Sequence, residues 1–190
     1  NFGCPAPKVF KKCAGAALLD HPDRVSALIR ATVDAVSVPV TAKIRLGVHD
    51  DSRLAEVVAA VAEAGAAALC VHARTRSDPY SVPARWEALA RVRAMTRLPL
   101  IGNGDVMTVA DALRMMHTTG VDGVMVGRGI LRDPWLLARL RAEGAGGILH
   151  RLRGRSSNRK FGEPTRRRAL ELIGAHYADY GPTLAAETLA

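Results

Sequence analysis

The 190-residue chain is 48% hydrophobic and carries a formal net charge of +9, which fits a soluble globular protein with one good-sized core and an appendage. No stretch approaches the roughly 20 uninterrupted apolar residues of a membrane helix, and the first residues do not resemble a signal peptide, so we expect a cytoplasmic protein without a membrane partner. The three cysteines form no CxxC pair, which argues against a disulfide framework and against a metal site.

Two strand-and-helix units are predicted in the first half of the chain. A helix begins after Asp20, which can cap it, and its apolar residues recur at helical spacing. Residues 38–44 form a short β-branched run, which indicates a buried strand. The second unit combines an Ala-rich helix that starts at Ser52 and ends at Gly65 with an apolar strand over residues 67–71.

Two further units follow in the same order. A helix that starts at Trp86 precedes a strand over residues 98–101. Thr108 and Asp111 then form a capping-box pattern at the start of another helix, and residues 121–126 form the last predicted strand. A final helix is predicted to start at the dipeptide Asp133-Pro134.

The alternation of strands and helices predicts parallel βαβ units, either in a doubly wound sheet or in a (β/α)8 TIM barrel. Periodicity alone does not decide between them, but the end of each predicted strand carries a polar or glycine-rich cluster. In a barrel all such ends converge on one face, where barrel active sites lie, so we favour the barrel. The four clusters are Lys43-Ile44-Arg45, His72-Ala73-Arg74, Asn103-Gly104-Asp105 and Gly127-Arg128-Gly129.

The chain has too few predicted strands for a whole barrel, since a barrel needs eight, and it does not begin with Met. We therefore expect residues 1–142 to be the C-terminal half of a barrel, followed by a basic linker over residues 143–164. Residues 139–168 hold 10 basic and 2 acidic side chains, which suggests a polyanionic partner, although an Arg-rich, partly disordered linker is the alternative.

The opening segment places a thiol, Cys4, in a loop rich in glycine and proline. A neighbouring positive charge stabilises a thiolate, so Cys4 is either a reactive cysteine or an incidental one. The two other thiols, Cys13 and Cys70, are expected to fill the core. The cations close to Cys4 are three lysines, Lys8, Lys11 and Lys12.

Two glycine-containing turns, residues 102–105 and 127–129, follow the last two predicted strands. In barrels such loops often bind a phosphate through backbone N–H groups, but ordinary tight turns are equally possible. Neither is a GxGxxG or Walker loop, which disfavours a Rossmann site or a nucleotide triphosphatase. Lys43 or Arg45 could bind an anion, and Tyr80 could either stack on a base or pack under its loop.

The order of these clusters resembles that of bacterial tRNA-dihydrouridine synthases. The resemblance implies an FMN-binding TIM barrel followed by a small helical domain that helps to hold tRNA. Residues 165–190, with a helix over residues 165–180, would be the start of that domain. The matching segments are Asn1–Pro5, Pro39–Gly47, His72–Thr75, Ile101–Asp105 and Asp122–Gly129, followed by Asp133-Pro134-Trp135.

By this resemblance, Cys4 is the general acid that protonates uracil C5 while flavin N5 delivers hydride to C6, with NADPH as the reductant. We also expect a monomer that binds no metal. One departure is that Val82 stands where the family pattern Tyr-x-Gly-x-Ala-x-Trp has glycine, and Pro83 follows it. Residues that would contact the flavin are Lys43, His72, Asn103, Gly104, Asp105, Gly127 and Arg128, and those that would contact uracil or RNA are Asn1, Arg45 and Arg74.

Three alternatives stay open at this point. The chain could belong to another FMN barrel oxidoreductase that acts on a small molecule, as dihydroorotate dehydrogenases do. It could belong to a barrel isomerase or lyase that binds a phosphorylated metabolite, or it could be a non-catalytic RNA-binding fragment. The segment Asn1–Pro5 and the basic stretch disfavour the first of these.

Overall fold

A computed structural model describes residues 1–143 of the chain. The predicted linker beyond Glu143 and the predicted helical segment 165–190 lie outside these residues. Four parallel strands form one sheet in the order β1-β2-β3-β4. Their bounds are β1 Thr41–Arg45, β2 Ala68–His72, β3 Leu100–Asn103 and β4 Gly123–Met125.

Helices precede and follow the strands along the chain. All five helices predicted within the described residues are present as α2 to α5 and α7, whereas α1, α6 and a 3-10 helix over Gly15–Asp20 were not predicted. None of the described helices is long and apolar enough to cross a membrane. The helices are α1 Pro7–Phe10, α2 Pro22–Ala35, α3 Leu54–Glu63, α4 Trp86–Met95, α5 Val109–Thr119, α6 Gly129–Arg132 and α7 Leu136–Glu143.

The strand order of the described part is consistent with the barrel, the architecture that the sequence favours. Each strand lies beside the next one in sequence, and the helices pack in the same succession, α2 on α3, α3 on α4 and α4 on α5. A doubly wound sheet reverses its strand order, whereas a barrel adds each strand beside the previous one. The described residues therefore form an α/β unit whose topology is that of half a barrel.

The hydrophobic core lies between the sheet and this helical layer. Side chains alternate between the two faces of a strand, and Ile44, Leu69 and Leu100 point towards the helices with no exposed surface. A β-carbon at Gly102 would lie 2.6 Å from the Sδ atom of Met115. Because a helix side chain fills that space, any larger residue at Gly102 would require Met115 to shift where α5 crosses β3.

Two local expectations were wrong and two were confirmed. Asp20 does not cap α2, since it ends the preceding 3-10 helix and His21 takes the cap position without a side-chain hydrogen bond. Cys13 is exposed rather than in the core, in a left-handed turn with φ +51°, whereas Cys70 is buried as expected. Thr108 and Asp111 do form the predicted capping box at the start of α5.

Candidate active site

One row of residues crosses the carboxyl ends of all four strands. Arg45 pairs in register with His72, His72 with Asn103, and Asn103 with Met125. Their side chains lie on the face opposite the helical layer, because each is one residue from a position that packs against it. This row forms the floor of a cleft of about 400 Å³, which is within the range of small-molecule sites, roughly 300–1,000 Å³.

Every site residue that the sequence predicted lies in the wall of this one cleft. The structure thus brings together four strand ends and the N-terminal loop, which are separated by more than a hundred residues along the chain. The placement agrees with the expected convergence, while the role of each residue stays a prediction. The predicted residues that line the cleft are Asn1, Cys4, Lys43, Arg45, His72, Arg74, Asn103, Gly104, Asp105, Gly127 and Arg128.

Hydrogen bonds hold the N-terminal loop against the first strand. The Phe2 N–H donates to the Lys43 carbonyl at 2.8 Å, and the Ala16 N–H donates to the Cys4 carbonyl at 3.0 Å. Gly15 has φ +59°, and a β-carbon there would lie 2.9 Å from the Cys4 carbonyl oxygen. These contacts fix the backbone of Cys4, whose half-buried side chain lines the cleft.

Arg45 contributes a further hydrogen bond to the same loop. It is buried on the inner face of β1, where its Nε donates to the Gly3 carbonyl at 2.8 Å and one terminal nitrogen donates to the Thr75 carbonyl at 2.9 Å. A guanidinium has five donors in a fixed fork, so it links two loops at once. At least two of the five N–H donors of Arg45 are therefore bound to backbone carbonyls of the fold.

Arg74 is the most buried charged side chain of the site, with 1% of its surface exposed. Its guanidinium donates to the Val82 carbonyl at 2.7 Å, to His72 Nε2 at 3.2 Å and to an Asp105 carboxylate oxygen at 2.6 Å. The hydrogen bonds to Val82 and Asp105 hold two loops in place, so these donors do not point into the cleft. The RNA-contact roles predicted for Arg74 and Arg45 thus fall on residues whose main contacts are internal.

Asp105 connects three parts of the cleft wall through its carboxylate. One oxygen accepts from Arg74 and from the Ala84 N–H at 2.8 Å, and the other accepts from Arg128 at 3.2 Å. Burial acts to raise the pKa of Asp105, but the hydrogen bonds from Arg74 and Ala84 outweigh it, so the pKa lies below its usual value. The carboxylate is consequently ionised at neutral pH.

His72 is neutral, and its tautomer follows from its neighbour. Burial, followed by the positive charges of Arg45, Lys43 and Arg74, lowers the pKa of His72 to about 3. Because a guanidinium can only donate, His72 Nε2 must accept the 3.2 Å hydrogen bond from Arg74. The proton of the neutral ring therefore resides on Nδ1, which leaves that atom as a hydrogen-bond donor.

Among residues 1–143, Lys43 is the cation of the cleft that neither pairs with an acid nor donates a hydrogen bond, whereas Arg45 donates to two carbonyls. Its half-buried side chain has no ion-pair or hydrogen-bond partner among residues 1–143, and burial lowers the pKa of its ammonium group. Cys70 lies beside it in register, and burial raises the pKa of that thiol to about 11. Cys70 is thus a protonated core thiol, while Lys43 presents a charge that an anionic ligand could satisfy.

The backbone around Gly127 offers hydrogen-bond donors at the far end of the cleft. Within the described chain, the N–H groups of Gly127, Arg128 and Gly129 donate to no protein acceptor. A β-carbon at Gly127 would meet nothing within 4 Å, whereas one at Gly129 would lie 2.2 Å from the Val106 carbonyl. The first glycine opens this turn to the cleft and the second allows it to pack closely.

Some cleft residues were not assigned a role from the sequence. Tyr80, named only as a loop aromatic, has 56% of its surface exposed and lies over the Arg128 guanidinium at 4.2 Å. Met125 and Met107 also line the cleft. Strand alternation could have identified Met125, because it lies two residues before Gly127 and in register with Asn103. Residues 1–143 contain no cluster of potential metal ligands, and none was predicted.

Comparisons with known proteins agree on one family for this chain. The sequence pattern that defines the family "Dihydrouridine synthase (Dus)" matches residues 1–153. A tRNA-dihydrouridine(16) synthase of Cupriavidus necator is 49% identical over 144 residues, which cover 74% of this chain and 44% of that protein. A probable tRNA-dihydrouridine synthase of Mycobacterium tuberculosis is 47% identical over 151 residues, 75% of this chain and 38% of that protein. The tRNA-dihydrouridine(16) synthase of Ralstonia nicotianae is 46% identical over 146 residues, with 75% and 44% covered.

Proposed function

Because the chain belongs to the dihydrouridine synthase family, we propose that it carries much of the active site of an enzyme that reduces uridine in tRNA to 5,6-dihydrouridine. The chain spans 38–44% of the length of the curated relatives above, so this activity is proposed for the longer polypeptide. The proposal rests on one observation, that Cys4 lines the same cleft as Lys43, His72 and the Gly127 turn. A thiol acid, a cation and phosphate-binding donors are the parts that this reaction requires.

The cleft fits FMN because it contains a cation and hydrogen-bond donors that have no partner among the described residues. No acidic side chain among residues 1–143 pairs with the ammonium group of Lys43, and an anionic flavin edge would supply the missing counter-ion. The free N–H groups at Gly127 and Gly129, with the Arg128 guanidinium beside them, suit a phosphate, since backbone donors and an arginine fork are common phosphate ligands. His72 Nδ1–H offers a further donor to a flavin carbonyl or nitrogen, and Asn103 and Gly104 line the space between.

The chemistry divides between the cofactor and one side chain of this chain. When bound and reduced by NADPH, FMN supplies hydride to uracil C6. As the C6–H bond forms, electron density moves to C5, and the Cys4 thiol transfers its proton to that carbon. The product gains two hydrogens, and the Cys4 thiolate is reprotonated from solvent before the next turnover. A positioned proton donor of this kind contributes about 10²- to 10⁴-fold to the rate.

The neighbours of Cys4 position the reaction rather than take part in it. Arg45 and the Lys43 carbonyl hold the N-terminal loop, so the thiol approaches the substrate from a fixed backbone. Tyr80, exposed at the mouth and backed by Arg128, offers a ring on which a base can stack. Because a paired base cannot enter such a cleft, the target uridine must leave its stack in tRNA first.

Each alternative function lacks support from one of these features. A small-molecule flavin oxidoreductase does not need the exposed cations near Cys4, and a phosphometabolite isomerase does not need a thiol acid. A non-catalytic RNA-binding protein requires neither Cys4 nor the uncompensated Lys43. The relatives named as tRNA-dihydrouridine synthases favour tRNA as the substrate.

The full-length protein that contains this chain provides the test. After purification it should show flavin absorbance, and with NADPH it should convert uridine to dihydrouridine in unmodified tRNA transcripts, measured by mass spectrometry of the nucleosides. A yellow protein that oxidises NADPH with orotate-type acceptors but leaves tRNA unchanged would favour the small-molecule alternative. A colourless protein that binds tRNA would favour the non-catalytic one.

A further inference from the structure

The lysines of the described chain lie in two places, the cleft itself and the short segment that follows Cys4. Residues 1–143 contain four lysines. One is Lys43 in the cleft, and the others are Lys8, Lys11 and Lys12, here called the lysine ridge, which lie on or directly after α1. By contrast, an arginine supplies the cation in each ion pair among these residues. Arginine thus supplies the cations of these ion pairs, whereas none of the four lysines forms one with a described residue.

The lysine ridge has no internal counter-charge. All three side chains are exposed and form no hydrogen bond or ion pair with any described residue. Three like charges within five residues repel one another, so the folded loop would gain stability from an external anion. Because ammonium groups are flexible point charges with three donors each, they suit phosphate oxygens whose positions differ from one site to the next.

Contacts made by neighbouring residues fix the position of the lysine ridge. The Lys11 N–H donates to the Pro7 carbonyl at 3.0 Å, which keeps the turn compact. The Arg76 guanidinium lies over the Phe10 ring at 4.0 Å, so α1 is attached to the loop that follows β2. A segment held at several points can present its charges in a constant position relative to the cleft.

The lysine ridge lies close to the cleft residue Cys4 because of its position in the chain. Lys8 follows Cys4 by four residues, which span at most about 14 Å when fully extended. Cys4 and Pro5 line the cleft, and the Ala16 N–H returns the segment to the Cys4 carbonyl. The intervening loop therefore starts and ends at Cys4, and each of its exposed lysines is at most five residues from Cys4 or Ala16.

We propose that the lysine ridge binds the RNA phosphates that flank the uridine held in the cleft. This inference rests on the function proposed above, and it adds a specific surface that is separate from the basic stretch at residues 139–168. Taking a base out of its stack costs free energy, and phosphate contacts next to that nucleotide offset part of this cost. Phosphate contacts fix position without reading sequence, so the lysine ridge orients the strand while the cleft selects the base.

A pair of charge-removing substitutions with a matched control tests the proposal in the full-length protein. Binding of a fluorescein-labelled, unmodified tRNA transcript is measured at several salt concentrations for Lys11→Gln/Lys12→Gln. The slope of log affinity against log salt should fall in magnitude by about 2, because each lysine that no longer neutralises a phosphate lowers it by about 1. The control Arg30→Gln/Arg97→Gln removes the same charge from α2 and the loop before β3, and it should keep the slope.

The conservative variant Lys11→Arg/Lys12→Arg retains the charges and should keep the wild-type slope as well. Melting temperature establishes that each variant is folded. An unchanged slope for Lys11→Gln/Lys12→Gln, or an equal decrease in the Arg30→Gln/Arg97→Gln control, would overturn the lysine ridge as an RNA surface. Dihydrouridine formation by the wild-type protein is measured separately, so that a failure of the proposed function is distinguished from a failure of this inference.

Discussion

The Arg45 guanidinium donates to the Gly3 carbonyl at 2.8 Å, which ties the loop that carries Cys4 to the inner face of β1. Since Cys4 is the next residue, the position of its sulfur depends on this hydrogen bond. Burial of Arg45, with 4% of its surface exposed, keeps water from replacing the bond. The arginine thus acts through the backbone of its neighbour.

The substitution Arg45→Lys retains the charge but cannot reproduce the fork that reaches both Gly3 and Thr75. A misplaced reacting group costs up to about 100-fold in rate, so we expect uridine reduction to slow roughly 10- to 100-fold while FMN content stays near normal. Single-turnover assays with pre-reduced enzyme measure the rate. Arg91→Lys, which changes an exposed pair with Asp51, is the control, and an equal rate in both variants would remove the positioning role.

Asp105 is expected to be a stabilising residue of the cleft wall. The change Asp105→Ala leaves the guanidinium of Arg74, which is 1% exposed, without its carboxylate partner. Removal of one partner of a buried pair typically costs 3–5 kcal/mol, and the partial exposure of Asp105 places the expected loss at about 3 kcal/mol. Urea denaturation of the full-length protein measures it. The exposed pair of Arg53 and Glu56 provides the comparison, since Glu56→Ala should barely change stability; similar curves for both variants would contradict the prediction.

His72 should make the flavin-free protein less stable in mild acid. Its pKa is about 3 in the folded protein against about 6.5 when unfolded, so the unfolded chain binds the extra proton between these values. Stability is therefore complete above pH 6.5 and is lost as the pH falls towards 3, with about 2 kcal/mol lost between pH 6.5 and 5.0. His72→Asn should remove that part of the slope in urea titrations. An identical pH dependence in the variant would show that His72 is not held neutral.

The charge of Lys43 should raise the midpoint potential of the bound flavin. Replacement by methionine keeps the length of the side chain but removes the cation that would stabilise negative charge on the reduced cofactor. We expect the midpoint potential of the flavin to become more negative by about 30 mV, which corresponds to about 1.4 kcal/mol for two electrons. Dye-equilibrated reduction of the full-length protein measures the potential. Lys12→Met removes an exposed charge and should leave the potential unchanged; an equal shift in both variants would indicate a distant field effect.

The succession of elements could be predicted from the sequence because strong local signals mark it. The capping box at Thr108 and the left-handed Gly120, with φ +71°, fix the two ends of α5. Strand bounds were less accurate, and β3 runs to Asn103 rather than Ile101. A strand ends where its hydrogen-bonded neighbour ends, and that neighbour is remote in sequence.

The site residues could be predicted as a group, but their contacts could not. Strand-end clusters indicate which side chains converge, yet only the structure shows that Arg74 uses its donors on Val82, His72 and Asp105. Such bonds depend on loop conformation, and Asp105 adopts φ +54°, which no periodic pattern signals. Cys13 was placed in the core because cysteine is usually buried, whereas a tight turn exposes it.

The most direct test of the account compares two thiols on the same loop. Cys4 lines the cleft and Cys13 is exposed outside it, so Cys4→Ser and Cys13→Ser change the same chemical group in two settings. In the full-length protein, reduction of bound FMN by NADPH should proceed in both variants. Dihydrouridine formation in tRNA should fall by about 10²-fold or more in Cys4→Ser and stay at the wild-type rate in Cys13→Ser. Equal dihydrouridine formation by both variants would contradict the assignment of Cys4 as the proton donor.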